Sequence, residues 1–423
     1  MKRIIGALAL FLLAAGANAQ VAPQVQSIGS NDLFQDIVGG APMVGNVYAS
    51  QTLIGNIAST QSGAFYGNAL VGGDFGQNLF QRGTSVSFSA SATAAYSADR
   101  WANWSGTTTP LTLTQQTGAT DIVAGTTASF RVNKGSNTGT AAACIAQEVE
   151  SQNSIPFAGQ TAEFSFYGKA GPTFSAALSN VNVYITYGTG TDDGIQKLAY
   201  SVNAGGSGST PWAGGVNAAN GVSVVLSSSG FNRYAVAAAI PATATEIGVA
   251  ICYTPVGTGS ATDWYEIALA QLTINPALTS TVATGGTLYA NDNRTRAFVR
   301  RPTAIETALQ QRYFWNLTEP ANGYGVAMGV LSTTTNCMVA LQLPVTMRAV
   351  PTFGSTGTLS TSTWKIQDST TSTLASTFLG AGAGSTANIL NINATLTTAS
   401  TAGWACQLQG AGGTSSITAT AEL

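Results

Sequence analysis

The sequence predicts an all-β protein with an antiparallel β-sandwich, a second β domain after it and one short helix between them. Only 8% of the 423 residues are charged, and glycine alone accounts for 48 residues; together with frequent Thr, Val and aromatic residues, this composition favours strands and tight turns. Apolar and polar residues alternate in many short runs that Gly- and Asn-rich turns separate. Strands do not alternate regularly with helical patterns, so neither a Rossmann-type fold nor a TIM barrel is expected.

Alternating runs predict the strands of the sandwich, which is expected to span residues 71–277. Phe164 and Phe166 fall on one face of their run, and Val181 and Val183 fall on one face of the next. This follows because successive side chains of a strand point to opposite sides of the sheet. The predicted strands lie within segments 85–89, 161–171, 181–194, 234–255 and 264–274.

Residues 278–316 form a connector that ends in the clearest helical pattern after the N-terminal segment. Thr303 and Glu306 match a T-x-x-E capping box, which marks the start of a helix. An apolar stripe with a spacing of four residues follows, and it consists of Ile305, Leu309 and Tyr313. A helix of about three turns is unstable alone, so the stripe is expected to dock where two β domains, or two subunits, meet.

Basic side chains gather around this helix although the chain is poor in charge. Arg300, Arg301 and Arg312 are expected to bind carboxylates or backbone carbonyls at the same joint, because guanidinium groups suit such partners. Alternating runs resume after the helix and predict the second β domain over residues 317–423.

The N-terminal residues have a different character. Lys2 and Arg3 precede an apolar run over residues 4–15, and residues 17–19 form an A-x-A pattern. These features predict a secretory signal over residues 1–19, with a hydrophobic arm that stays attached as the alternative. Residues 20–70, rich in Gly and Ala, are expected to form an extended attachment arm.

Charge and composition exclude several classes of function. The net charge of −2 argues against a nucleic-acid partner. The chain has no histidine, which removes Ser-His-Asp and Cys-His nucleophiles and imidazole metal sites. No Gly-rich phosphate-binding motif is present, so nucleotide binding is not expected either.

Four cysteines are present, two in each half of the chain, and none forms a CxxC motif. They are Cys144, Cys252, Cys337 and Cys406. Their number and distribution suit two intradomain disulfides in an exported protein. Four buried free thiols are the alternative, because a free cysteine packs as a small apolar side chain.

An ordered series of motifs resembles the receptor-binding and fibre-type virion proteins of tailed bacteriophages. The series covers residues 71–423 and consists of "VGGDFGQNLFQRGTS" (71–85), "YSADRWANWSG" (96–106), "GQTAEFSFYGKAG" (159–171), "FNRYAVAAAIP" (231–241), "ALAQLTI" (268–274), "RRPTAIETALQQRYFW" (300–315), "LPVTMRAVPTF" (343–353) and "AEL" (421–423). The resemblance implies a carbohydrate-binding-module-like jelly roll over residues 71–277, followed by a small C-terminal β domain.

The resemblance also implies a function: a structural fibre, spike or surface decoration of a virion that adheres to host surface polysaccharide and is not an enzyme. It implies a homo-oligomer, expected to be a trimer, that lies at the virion surface and joins other virion proteins through its N-terminal arm. A secreted, extracellular bacterial glycan-binding protein is the alternative, and a polysaccharide depolymerase is the third hypothesis. One cofactor is implied, a structural calcium ion at Asp74 and Glu266.

Aromatic side chains are the first candidates for glycan contacts, because aromatic rings stack on the apolar faces of sugar rings. Trp212 lies in a Gly-rich loop and is the preferred candidate for an exposed ring. Trp101 and nearby Trp104 are further candidates, but burial of Trp101 in the core is the preferred interpretation.

Two acidic pairs also stand out. Glu148 and Glu150 are two residues apart, so on a strand they share a face. Such a pair can supply the acid and base of a glycosidase, but a solvated strand face is the preferred interpretation. Asp192 and Asp193 predict a turn, with a weak cation site as the alternative.

Overall fold

Two antiparallel sheets stacked face to face form the sandwich, and the all-β fold class is confirmed. The computed structural model describes residues 67–176, 180–202, 204, 206, 210–320, 324–356, 364–368, 372–381, 384–396, 399–410 and 415–423. The predicted signal segment 1–19 and most of the predicted arm 20–70 lie outside these residues.

Among the described residues, the first sheet has seven strands and the second has six. In spatial order the first contains β1 (Ser85–Phe88), β4 (Leu111–Gln116), β5 (Ser129–Asn133), β12 (Trp264–Ile274), β7 (Thr161–Ala170), β10 (Asn232–Ala239) and β13 (Thr287–Ala290). The second contains β2 (Ala95–Tyr96), β3 (Ala102–Ser105), β6 (Ala143–Val149), β11 (Glu246–Tyr253), β8 (Asn180–Gly188) and β9 (Val216–Val225).

An apolar core fills the space between the two sheets. Phe164 and Phe166 of β7 point into it together with Val183 of β8, and all three are fully buried. Phe75 stacks on Phe130 with ring centroids 5.2 Å apart. Burying a side chain of this size contributes about 1.5–3 kcal/mol, so the alternating runs of the sequence stabilise the sandwich directly.

Helices are short in the part of the chain that the structure describes. They are α1 (Ser151–Ser154), α2 (Ile195–Val202) and α3 (Thr303–Gln311), with 3-10 turns at Ile155–Phe157 and Pro276–Thr281. None of the described helices is long and apolar enough to cross a membrane.

The outer surface of the second sheet is covered by α2, which the sequence analysis missed. Leu198 of α2 and Trp212 pack over Gly248 of β11, where an added Cβ would lie 2.8 Å from Leu198 and 3.0 Å from Trp212. A disulfide joins the directly opposed Cys144 and Cys252 of β6 and β11 on this covered side. This side of the sandwich is therefore buried.

The connector covers only one end of the outer surface of the first sheet. Leu278 and Tyr289 pack against Ala235 of β10. The side-chain oxygen of Gln271 in β12 accepts the backbone N–H of Val299 at 2.7 Å. The other end of this surface, where β5, β12 and β7 lie side by side, carries partly exposed side chains.

The second β domain contains a small sheet and a closed barrel. The sheet has β14 (Phe314–Thr318), β22 (Ser416–Thr420) and β17 (Thr352–Thr356). The barrel closes in the order β15 (Gly325–Thr333), β16 (Asn336–Gln342), β20 (Ile389–Leu396), β19 (Ser372–Ala381), β18 (Trp364–Asp368) and β21 (Ala405–Gly410). Trp364 is buried inside it, and Cys337 is joined to Cys406. All four cysteines of the chain are thus in disulfides.

Candidate functional site

The short helix between the β domains docks through polar side chains, and the predicted apolar stripe is wrong. Glu306 and Gln310 of α3 are buried, whereas Ile305 is 52% exposed and Leu309 is only half-buried. Tyr313, just after the helix, is the one buried member of the predicted stripe. The reason is that the facing segment 68–82 presents backbone groups that need hydrogen-bond partners, and the polar side chains supply them.

The predicted capping box does not form, because its glutamate binds elsewhere. Pro302 is the N-cap and makes no side-chain cap. Glu306 instead accepts the backbone N–H of Gly72 at 2.5 Å. The hydroxyl of Thr303 accepts the side-chain amide of Gln77 at 2.9 Å. The side chains in the first turn of α3 therefore bind the sandwich and do not cap the helix.

Each arginine of the predicted joint has a partner from the sandwich. Arg300 forms an ion pair with Asp74. Arg301 donates to the carbonyls of Asn68 and Leu70 and pairs with Glu306. Arg312 lies 3.2 Å from a carboxylate oxygen of Glu150. These contacts place all three guanidinium groups between the sandwich and the chain that leads to the barrel.

Gln310 offers a test of this polar docking. Its side-chain oxygen accepts the N–H of Leu79 at 2.7 Å, and its amide donates to the carbonyl of Gln77 at 3.0 Å. Gln310→Leu leaves both backbone groups buried and unpaired, so we expect the free energy of unfolding to fall by about 1–3 kcal/mol. The matched control Leu309→Asp should cost less than about 1 kcal/mol. Urea unfolding measures both losses of free energy. A larger loss for Leu309→Asp than for Gln310→Leu would support docking through the apolar stripe.

A buried arginine ties the end of the chain to the sandwich. Arg100 is 2% exposed and lies 2.5 Å from a carboxylate oxygen of Glu422. Its guanidinium also donates to the carbonyl of Glu148 at 2.9 Å and stacks 3.9 Å above the ring of Tyr313. Arg82 binds the other oxygen of Glu422 at 2.9 Å. One carboxylate near the C-terminus is thus held by two arginines of the sandwich.

The predicted carboxylate pair belongs to this joint, so the expected solvated strand face is wrong. Glu148 and Glu150 are both at least nine-tenths buried. Burial raises the pKa of Glu148 to about 8, Arg100 lowers it and the negative charge of Glu246 raises it further. Glu150 is instead paired with Arg312. These two carboxylates serve the packing of the sandwich against the second β domain.

The acidic turn has partners of its own. Asp192 accepts the backbone N–H of Ser151 and lies 3.3 Å from Arg348. Asp193 accepts the N–H of Ala213 and pairs with Lys197, and these contacts lower its pKa. The described residues contain no cluster of three acidic, Cys or His side chains that could hold a metal ion.

All three tryptophan candidates are buried. Core burial of Trp101, the preferred interpretation, is confirmed, whereas the exposed ring expected for Trp212 is wrong. Trp101 and Trp104 have no exposed surface, and Trp212 is 2% exposed. Trp101 packs in the sandwich core, while Trp104 and Trp212 lie between the second sheet and α2. The Gly-rich loop folds back because the indole N–H of Trp212 donates to the carbonyl of Gly194 at 3.2 Å.

The residues implied for a calcium site do not fit a metal ion. Asp74 is already paired with Arg300, and Glu266 lies 2.5 Å from Arg131. A calcium ion needs six to eight oxygen ligands, whereas each of these carboxylates faces a guanidinium. At the start of the sandwich, the guanidinium of Arg301 donates to two backbone carbonyls. The cation that these carbonyls bind is therefore a side chain of the protein.

The partly exposed end of the first sheet brings charged and aromatic side chains together, and we name it the open sheet face. Its members are Asp121, Arg131, Tyr167, Lys169, Phe231, Trp264 and Glu266. Glu266 of β12 is directly opposite Arg131 of β5 and Lys169 of β7. The register of three neighbouring strands therefore builds the centre of this surface.

Electrostatics at the open sheet face centre on one buried carboxylate. Arg131 donates to Oε1 of Glu266 at 2.6 Å, while Oε2 has no hydrogen-bond partner among the described residues and its neighbour Lys169 is 3.8 Å away. Burial raises the pKa of Glu266 to about 7; Arg131 lowers it and Asp121 raises it. Glu266 is fully buried, so it positions Arg131 beneath the surface and does not itself face a ligand.

Aromatic rings frame the same carboxylate. The guanidinium of Arg131 lies 4.0 Å from the ring centre of Trp264. Lys169 lies 5.4 Å from that ring and 5.7 Å from the ring of Phe231. Phe231 is partly exposed, whereas Trp264 is 7% exposed. Trp264 and Glu266 are two residues apart on one strand, but the sequence pattern indicates only a calcium ligand at Glu266 and not this site.

Comparison with known proteins yields likenesses of fold. No protein-family model matches the chain, and no curated protein matches it. One similar structure is the enzymatically active domain of tailspike protein 4 of bacteriophage CBA120, with a TM-score of 0.27 and 13% identity. The match covers 49% of this chain but only 21% of the tailspike chain.

Two matched structures come from Xyn10C of Paenibacillus barcinonensis. Its CBM22-1 xylan-binding domain has a TM-score of 0.25 and 8% identity, and the match covers 45% of this chain and 92% of that one. The tandem CBM22-1–CBM22-2 domain has a TM-score of 0.23 and 9% identity, over 73% of this chain and 91% of that one.

One expectation changes as a result. The prediction that the chain is not an enzyme was wrong as an exclusion, because a structure to which it is similar is an enzymatically active domain.

Proposed function

We propose that the chain is a structural, adhesive component of a phage-type virion appendage that binds a host cell-surface glycan through the open sheet face. The observation that carries the proposal is the strand register that sets Arg131 and Lys169, both partly exposed, beside the partly exposed ring of Phe231. Buried Glu266 holds the two cations from below, and the ring of Trp264 lies 4.0 Å from the Arg131 guanidinium. Apolar surface with a few convergent polar groups is what small-ligand sites need.

The parts of the open sheet face match the two sides of a sugar ring. Arg131 and Lys169 can donate to ring and hydroxyl oxygens of a sugar, and the partly exposed carboxylate of Asp121 can accept a sugar hydroxyl. The apolar face of the ring can stack on Phe231, which is partly exposed. In the proposed function the protein acts as a homo-oligomer at the virion surface and is attached through its N-terminal arm; secretion from a bacterium is the alternative.

A glycan array of bacterial surface polysaccharides tests the binding. Phe231→Ala removes the stacking ring without breaking an ion pair, and Glu266→Gln removes the buried partner that holds Arg131 and Lys169 in place; we expect each to weaken binding about tenfold or more. Tyr200→Ala is the matched control, because Tyr200 is an aromatic residue of α2 that is 41% exposed. Unchanged binding by Phe231→Ala and Glu266→Gln, or no binding by the parent, would refute the proposal.

One observation favours a second candidate, a polysaccharide depolymerase. Glu266 and Asp121 both contact Arg131, at 2.5 and 3.3 Å, and Glu266 has its pKa raised to about 7. Two neighbouring carboxyl groups, one with a raised pKa, are the arrangement that glycoside hydrolysis uses. Release of reducing ends from a bound polysaccharide, lost in Glu266→Gln, would distinguish hydrolysis from adhesion.

A further inference from the structure

The outer surface of the barrel carries neighbouring exposed apolar side chains, which we name the barrel face. Met328 and Val330 of β15 are 60% and 46% exposed, and Met338 of β16 is 38% exposed. Val330 and Met338 are directly opposite each other in the register of the two strands. Met328 is two residues before Val330, so the three side chains share one side of the barrel wall.

The sequence around the barrel face is nearly free of charge. Residues 320–347 and residues 369–421 contain no Asp, Glu, Lys or Arg. The five charged residues of the second β domain are Glu319, Arg348, Lys365, Asp368 and Glu422. A well-soluble protein surface is about 25–35% charged residues. This barrel therefore lacks most of the charged side chains that keep soluble proteins from associating.

Most of those five charges do not face solvent. Glu319, Asp368 and Glu422 have at most 7% of their residue or side-chain surface exposed. Arg348 donates to the carbonyls of Ala421 and Glu422 and pairs with Asp192. Lys365, on β18, is half-buried. The barrel therefore presents an exterior that is poor in charge, with an apolar centre.

We infer that the barrel face packs against the barrel of a second copy of this chain. Exposed apolar groups that lie together mark interaction surfaces. A charged partner would gain no ion pair here and would lose hydration of its own charges. The charge-poor barrel of another copy complements this surface, because two such walls meet with little repulsion between like charges. This inference rests on the oligomeric part of the proposed function and names the surface that makes it.

Sedimentation velocity of the full chain tests the contact. The parent should sediment as an oligomer, and Val330→Asp or Met338→Asp should weaken its association at least about tenfold, because each buries a carboxylate in the contact. Val225→Asp is the matched control, since Val225 is 62% exposed on β9 of the sandwich. Far-UV circular dichroism should show the same fold for all four proteins.

The outcomes separate this inference from glycan binding. A parent that stays monomeric at high micromolar concentration, or oligomers that persist unchanged in both barrel variants, would overturn the barrel contact. Val330→Asp keeps the open sheet face intact, so its affinity per chain for a soluble oligosaccharide should equal that of the parent. Loss of glycan binding in Phe231→Ala with an intact oligomer would concern the proposed function alone.

Discussion

Replacing Arg100 by alanine is expected to lower the free energy of unfolding by about 3–5 kcal/mol, because it removes one partner of a buried ion pair. Arg100 and Glu422 are almost fully buried. The loss would leave the carboxylate of Glu422 with Arg82 as its remaining guanidinium, at 2.9 Å. It would also leave the carbonyl of Glu148 without its 2.9 Å donor and uncover the ring of Tyr313.

The effect should concentrate at the joint, because Arg100 joins elements that are distant in sequence. Glu422 lies beside β22, and Tyr313 lies between α3 and β14. Limited proteolysis of Arg100→Ala should therefore cut within the connector faster than in the parent, before the sandwich itself is degraded. Glu422→Gln should show a smaller loss in the same direction, since it keeps the shape and one hydrogen-bond acceptor.

The control for Arg100 is an ion pair of the same chemistry at the surface. Arg294 lies 2.7 Å from Asp292, with 44% of its side chain exposed. Water and salt screen the charges of an exposed pair, so the unfolding curve of Arg294→Ala should nearly coincide with that of the parent. Equal losses for Arg100→Ala and Arg294→Ala, measured by urea unfolding, would show that burial of the Arg100 pair adds no stability.

Much of the fold can be predicted from the sequence because strand periodicity is a local signal. Phe164 and Phe166 alternate with polar residues and point into the core. The helix α3 was located correctly but its buried side was not, because that side is chosen by backbone groups of residues 72–79. Helix α2 was missed although its buried residues Ile195, Leu198, Ala199 and Val202 have helical spacing. Its eight residues make only about two turns, which is a short stretch among the surrounding strand patterns.

The candidate site was less predictable because it is made by long-range register. Glu266 meets Arg131 and Lys169 only when β12 lies between β5 and β7. The residues near Glu266 in the sequence do not indicate that Arg131 or Lys169 will lie beside it. The same reason explains Trp212: its Gly-rich loop suggests exposure, but the side chain packs on Gly248, which only the fold brings close.

Stability should fall as the pH rises from about 5 to about 8, by on the order of 7 kcal/mol for the three carboxyl groups together. Burial raises the pKa of Glu148 to about 8, of Glu266 to about 7 and of Asp99 to about 6. The unfolded chain releases these protons near pH 4, whereas the folded chain retains them until the raised values are reached. The folded state therefore binds more protons across this window, and each increase in pH favours unfolding.

Glu148 should dominate the upper part of this pH window. Four charged groups surround it: Arg100 lowers its pKa, while Glu246, Glu422 and Asp192 raise it. Glu148→Gln keeps the shape but has no proton to release, so it should be more stable than the parent at pH 8.5 and nearly equal to it at pH 5.

Urea unfolding of both proteins at several pH values measures the difference directly. Glu150→Gln is the matched control on the same strand end, and it should lose stability because Arg312 loses its charged partner. Parallel pH profiles for the parent and Glu148→Gln would mean that Glu148 is ionised in the folded protein. In that case the buried oxygen Oε1, which lacks a partner among the described residues, would have to be stabilised by Arg100 alone.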